Sequence, residues 1–193
     1  MRPLRIFISF ILVGIFAIFI AGSEWISWDN SKPGTSPSVT VLASDGTHVR
    51  VRIELHGFWM KTLEGGGLTF QQPVLPGEEY LRETGKPQVP SIGRLFAVPE
   101  GKKAACRILD AQSISMSGCG IYPAQPKPNR CEDLVFPFTL DEAVYSADAY
   151  FPGELAAVGE PGVFRDYRVV RLAVYPLQIN PARGNLELCT YLD

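Results

Sequence analysis

Thr47-His48-Val49-Arg50-Val51-Arg52-Ile53-Glu54-Leu55-His56 is the stretch that decides the fold class. Val49, Val51, Ile53 and Leu55 alternate with His48, Arg50, Arg52, Glu54 and His56. A period of two over this length is a β-strand with one apolar and one polar face. Working outward, Phe58–Leu63 and Leu68–Gln72 flank Glu64-Gly65-Gly66-Gly67 and predict a hairpin, because Gly takes the positive φ a tight turn needs. Arg94–Val98 predicts a short strand. Pro99-Glu100-Gly101 turns the chain, and Ala104–Leu109 and Ser113–Met116 are expected to return it as strands. Arg168–Tyr175 is a β-branched run too apolar for a surface strand, so it is expected inside a sheet. Asn180-Pro181-Ala182-Arg183-Gly184-Asn185 is a turn, and Leu186–Tyr191 opens a last strand. Asp141–Tyr145 is the one segment with helical character. Leu75–Pro90 is punctuated by Pro and Gly and reads as irregular.

Short strands separated by turns every 8–12 residues predict an all-β domain, an antiparallel β-sandwich of jelly-roll type. Composition agrees. Apolar residues are 46% and charged residues 20% of the 193-residue chain, enough to build a core. The 18 Gly and 16 Pro favour turns over long helices. The net charge of −2, without a basic run, excludes a nucleic-acid binder.

The N-terminus reads as an export signal helix over residues 1–23. Arg2 and Arg5 precede an apolar run, Ile6–Ala21, and Ala21-Gly22-Ser23 offers small residues ahead of Glu24. Cleavage there delivers the chain to a secreted, periplasmic or cell-surface location; left uncleaved, the run is a membrane anchor. Residues 24–38 read as a flexible, Pro- and Ser-rich lead-in, and 39–193 as the folded domain. Cys106, Cys119, Cys131 and Cys189 follow the signal, where an oxidising compartment permits pairing. Cys119–Cys131 would close a loop of about a dozen residues, a contribution on the order of 3 kcal/mol. Four unpaired buried thiols are the alternative.

Catalytic chemistry finds little support. His48 and His56 are the two histidines, an even number of residues apart on the polar side of one strand, with no nucleophile motif beside them. The cysteines have neither C-x-x-C spacing nor a neighbouring His, so no zinc site is expected. The Gly65–Gly67 run lies between strands and is a turn, not a phosphate cradle. Glu132, Asp133, Asp141, Glu142 and Asp148 lack the spacing of a calcium loop and read as a solvated acidic surface. The aromatics Tyr122, Phe136, Phe138, Tyr145, Tyr150 and Phe151 read as core, with a carbohydrate- or protein-binding patch as the alternative. No cofactor and no metal is expected.

Three blocks resemble a known family. Gly85-Lys86-Pro87-Gln88-Val89-Pro90, continuing to Pro99-Glu100-Gly101, is one. Tyr150-Phe151-Pro152-Gly153-Glu154 with Gly162–Val170 (Arg165 and Arg168 among them) is the second. Val174-Tyr175-Pro176-Leu177-Gln178-Ile179-Asn180-Pro181 is the third. In this order they are similar to the propeptides of gingipain-type secreted cysteine peptidases, clan CD. The resemblance spans Val39 to Tyr191. It implies a non-catalytic β-sandwich prodomain that assists folding and keeps the zymogen latent by laying a loop across the active-site cleft. The partner it implies is the Cys/His catalytic domain, in cis downstream of Asp193 or in trans; the chain carries no such domain, which departs from the full precursor and suggests a truncated one. The family's preference for basic residues points to a plug. Tyr122–Arg130, with three prolines, is expected to be a stiff exposed loop that loses little entropy on binding. Lys127 and Arg130 are its candidate blocking residues. A stand-alone secreted module for glycan or cell-surface adhesion is the competing reading.

Overall fold

The computed structural model describes residues 22–127 and 136–193. Residues 1–21 of the predicted export segment, Arg130 and Cys131 therefore lie outside the described residues, whereas Ser23, the last residue of that segment, opens a strand. Among the described residues, no helix is long and apolar enough to cross a membrane.

The chain forms an all-β, mainly antiparallel fold of three sheets. The first has the order β1 (Ser23–Ser27), β4 (Gly57–Gly65), β5 (Leu68–Val74). The β4–β5 turn has Gly66 and Gly67 at φ 57° and 78°, the pair of left-handed residues that matches strand twist in a two-residue hairpin. The second sheet runs β10 (Gly162–Phe164), β11 (Tyr167–Val174), β7 (Pro90–Ala97), β6 (Glu79–Tyr80), and β9 (Ala156–Val158) pairs with the far end of β11. β11 is thus interior, as its apolar run predicts. The third sheet runs β12 (Leu177–Asn180), β13 (Asn185–Leu192), β3 (Val49–Glu54), β2 (Ser38–Ser44), with β8 (Ala111–Met116) also paired to β13. One helical turn, α1 (Glu142–Ser146), forms where expected; the Asp141 carboxylate accepts from the Ala143 and Val144 N–H groups as its cap.

All three sheets contribute to one core: Phe58 and Met60 from the first, Ile92 and Val174 from the second, Ile53, Leu177, Ile179, Leu186 and Leu188 from the third. The alternation read in residues 49–55 holds, but burial is graded. Val49 is exposed while Ile53 and Leu55 are buried, because β3 enters the core only at its C-terminal end. Its polar face carries Arg50 and Arg52. Their guanidinium groups reach the Asp193 carboxylate at 2.5 and 3.5 Å, and that carboxylate is wholly shielded from solvent.

Three expectations need correction. The lead-in at 24–38 begins in strand β1, not flexible chain. Trp25 pairs with Trp59 across β1–β4, ring centroids 5.4 Å apart, so two indoles anchor a segment whose polar composition hid it. Ala104–Leu109 is not a strand; residues 101–110 are all exposed. Its order Ala-Ala-Cys-Arg-Ile-Leu does not alternate apolar and polar residues, so no one face holds it on a sheet. Tyr122–Lys127 is exposed only at Lys127: Pro123 and Ala124 are buried and Pro123 bridges to Pro87. The backbones around Pro87 and Pro123, far apart in sequence, pair there through Gln88 N to Tyr122 O at 2.9 Å and Ala124 N to Lys86 O at 2.8 Å, which no local pattern announces.

Candidate inhibitory surface

The two histidines are at opposite ends of β3, outside its ladder. His48 is exposed and touches Thr47; His56 Nδ1 meets Asp29 Oδ2 at 2.7 Å, and this bond holds the Asp29 carboxyl below its usual range. The hydroxyl that His48 Nδ1 meets at 2.8 Å, that of Thr47, also donates to Asp45 Oδ1 at 2.8 Å in an exposed turn. Cys106 is exposed and Cys119 and Cys189 are buried. Burial pushes both buried thiols up, Cys189 to about 11, and no two described cysteines are paired. Among the described residues no three His, Cys, Asp or Glu side chains converge as for a metal. A groove of about 400 Å³ opens beside Gly93. Its cations are matched within the protein: Arg94 meets Glu78 at 2.6 Å, and Arg171 lies 3.9 Å from Glu79.

Of the aromatic residues, Tyr122, Phe138 and Phe70 stack edge-on or tilted at 5.7–5.9 Å. Phe138 lies over the β4–β5 turn, where a Cβ on Gly66 would sit 2.6 Å from its ring. Tyr145 donates to Ile121 O at 2.6 Å, and burial raises its phenol. Phe136 and Tyr150 are exposed. Of the acidic residues, Asp141 caps α1 and Asp148 pairs with Arg183; Glu132 and Asp133 lie outside the described residues.

The predicted plug loop has a built base. The Gln125 amide bridges its two stems: Nε2 donates to Thr139 O and to Pro123 O at 2.9 Å, and Oε1 accepts from Thr139 N at 2.9 Å. Gly85, at φ 81°, donates its N–H to Ala124 O at 2.7 Å and accepts from Asp141 N at 2.9 Å. Lys127 leaves this base into solvent. Arg130, and any Cys119–Cys131 pairing, fall outside the described residues.

Sequence reading missed a second basic segment. Between β7 and β8, residues 99–110 carry Lys102, Lys103 and Arg107, all exposed. No backbone N–H or C=O from Lys103 to Ile108 pairs with another backbone group among the described residues. The segment departs from a fixed point: Arg168 Nη1 donates to Pro99 O at 3.1 Å and to Lys102 O at 2.9 Å. The signal available in the sequence was the basic set Lys102, Lys103 and Arg107, obscured by the expectation of a strand.

The remaining block residues fasten turns. Pro87 and Pro90 are buried, and Phe151–Pro152 is a cis peptide. Arg165 takes φ 55° at the β10–β11 turn. Pro176 O accepts from Cys189 N, and Pro181 O from Gly184 N. Asn180 donates to Asp148 at 2.8 Å and accepts from Arg183 N. Buried Gln178 joins the second and third blocks. It accepts from Gly153 N at 2.8 Å and donates to Glu154 O and Tyr175 O, each at 3.0 Å.

A sequence profile of the Propeptide_C25 family matches residues 29–193, nearly the whole described fold. The chain belongs to the Propeptide_C25 family. It is a gingipain-type propeptide domain, not a catalytic one. Gingipain R2 of Porphyromonas gingivalis is 25% identical over 158 residues, 81% of this chain and 21% of the relative. Gingipain R1 of Porphyromonas gingivalis is 24% identical over 184 residues, 94% and 18%. Lys-gingipain of the same species is 29% identical over 132 residues, 65% and 8%. The chain thus spans about a fifth or less of these curated relatives. Two solved structures share the fold. A complex of Porphyromonas gingivalis RgpB pro- and mature domains gives a TM-score of 0.74 at 24% identity, covering 82% of this chain and 83% of that one. A structure concerned with zymogenic latency of gingipain K from the same organism gives 0.72 at 23%, covering 89% and 98%.

Proposed function

We propose that this Propeptide_C25 domain assists folding of a gingipain-type cysteine peptidase catalytic domain and blocks its active-site cleft, after export directed by residues 1–23. One observation carries the reading: a basic, exposed segment with free backbone groups is tethered to the second sheet by Arg168 and by the Cys106 thiol, 3.7 Å from Ala156 O. A peptidase cleft binds substrate as an added extended strand, through main-chain groups and one pocketed side chain. Lys103–Ile108 presents free main-chain groups, and Lys102, Lys103 and Arg107 supply basic side chains. Its anchor at Arg168 removes part of the entropy that a free peptide loses on binding. Lys127 with Arg130 is the other candidate, favoured by the Gln125 clamp between Pro123 and Thr139.

Inhibition of a gingipain-type peptidase by the purified chain tests both. A pocketed cation contributes roughly 2–4 kcal/mol at such an interface, so losing it raises the inhibition constant about 30- to 1000-fold. Lys102→Ala, Lys103→Ala and Arg107→Ala together are expected to do this, and Lys127→Ala with Arg130→Ala to change it less than about threefold. The reverse pattern assigns the plug to the Lys127 loop. Unchanged inhibition in both sets refutes a basic plug.

A further inference from the structure

We propose that the open edge of β7 pairs antiparallel with β7 of a second copy of this chain, about a two-fold axis at Leu95. The inference stands apart from the proposed function.

β6 pairs with β7 at Glu79–Ser91 and Tyr80–Pro90 and goes no further. β7 runs on to Ala97 with β11 on its other side. Main-chain groups of successive strand residues point to alternate sides. Val98 N donates toward β11, to Arg168 O, whereas Val89 O accepts on the β6 side, from Leu81 N. Gly93, Leu95 and Ala97 therefore aim their N–H and C=O groups at the side that β6 leaves open. Arg94 Nη1 donates to Gly93 O at 2.8 Å. The N–H groups of Gly93, Leu95 and Ala97 and the carbonyls of Leu95 and Ala97 have no backbone partner among the described residues. Natural sheets protect such edges with Pro, bulges or outward charges. Gly93–Ala97 has no Pro and no register shift, and its one charge, Arg94, is drawn onto Glu78 at 2.6 Å. The edge strand β2, by contrast, is broken by a register shift between Val41 and Ala43.

Two observations choose a second copy as the occupant. The first is the shape of the gap. β6 closes it at one end. At the other, Pro99 turns the chain, with Lys102 N donating to Pro99 O at 3.2 Å. Gly93–Ala97 of a second copy has the length of this gap. Placed antiparallel about Leu95, each copy sets Gly93 opposite Ala97 of the other, so the outward main-chain groups meet in register. Leu95, 55% exposed, is then covered by Leu95 of the second copy. The second observation is charge. At each end of the shared edge, β6 of one copy comes up against the Pro99–Lys102 turn of the other. Glu79, its side chain 74% exposed, meets Lys102 and Lys103 there, both exposed. The two-fold axis repeats this opposition of charge at both ends. The paired edge spans about 17 Å at ~3.4 Å per residue, a short interface, so the dimer is weak, with Kd on the order of 10–100 µM.

Sedimentation of the full chain from about 5 to 500 µM tests the proposal, and the wild-type chain is expected to pass from monomer to dimer across that range. On the axis residue 95 meets itself. Leu95→Lys alone and Leu95→Glu alone thus set like charges together and are each expected to raise the dissociation constant at least about tenfold. Mixed one to one, the two variants are expected to dimerise again. Leu95 is exposed, so both keep the wild-type melting temperature. Association through the apolar run at residues 6–21 would not follow the charge at residue 95. A wild-type chain that stays monomeric overturns the proposal and leaves the edge to a strand of another protein. A dimer that both variants retain, or a mixture that stays monomeric, overturns it as well. Inhibition of a peptidase is read separately and does not depend on these outcomes.

Discussion

Replacing Gln178 by Leu keeps the side-chain volume near native and removes three hydrogen bonds. The Gly153 N–H loses its acceptor, and Glu154 O and Tyr175 O lose their donors. Each bond contributes about 1 kcal/mol net, and a buried orphaned partner costs 1–3 kcal/mol. Gly153 and Glu154 are exposed enough for water to reach them. That places the loss at about 2–4 kcal/mol, less than three full orphaning penalties. For a domain of this size the melting temperature should fall by roughly 5–15 °C. Gln178→Glu makes the cause visible. A carboxylate still accepts from Gly153 but has no proton for the two carbonyls, so the folded state favours its protonated form and raises its pKa above the unfolded value of about 4.3. A raised folded-state pKa stabilises below the unfolded value and loses that stability as pH rises. The Glu variant should therefore approach wild type at pH 4 and fall behind it at pH 7. Urea denaturation at both pH values measures this. A loss below about 1 kcal/mol for Leu, or a Glu penalty that does not change with pH, refutes the assignment of Gln178 as the link between the two turns.

Gly66→Ala places a Cβ on a φ of 57° and 2.6 Å from Phe138. A cost of about 1–3 kcal/mol is expected from backbone and overlap together, read as a lower urea midpoint. The Asp193 carboxyl is held below its usual range chiefly by its hydrogen bond to Arg50. Its contribution is present above about pH 4 and lost as pH falls through the depressed value, so Asp193→Asn should flatten the acid limb of the stability curve. Arg168→Ala frees Pro99 O and Lys102 O. Trypsin should then cut at Lys102, Lys103 and Arg107 several-fold faster while the melting temperature moves by less than about 4 °C. An unchanged cleavage rate would show that the segment does not depend on that anchor.

Much of the fold was legible because its signals are local. Val49 to Leu55 alternate without interruption, Gly66 and Gly67 mark the hairpin turn, and Asp141 announces the helical turn three residues ahead of its last capped N–H. What stayed hidden depends on partners distant in sequence. Trp25 reads as part of a polar tail until Trp59 lies beside it. Pro123 reads as an exposed loop residue until its segment pairs with the backbone around Pro87. Gln178 is one polar residue in a strand until Gly153, Glu154 and Tyr175 converge on it. The candidate site suffered most. Lys103–Ile108 matters through an absence of pairing, which alternation and turn rules do not report, and Arg168 became its anchor only once β11 was laid against β7.

Hydrogen exchange of the chain, alone and mixed with a Cys→Ala gingipain-type catalytic domain, measures the central claim most directly. Latency by occupation of the cleft predicts that the amides of Lys103–Ile108, fast in the free chain, become protected by at least about tenfold in the complex. Exchange in that segment and in residues 127–130 that is identical with and without the partner, under conditions where the two are bound, would contradict it.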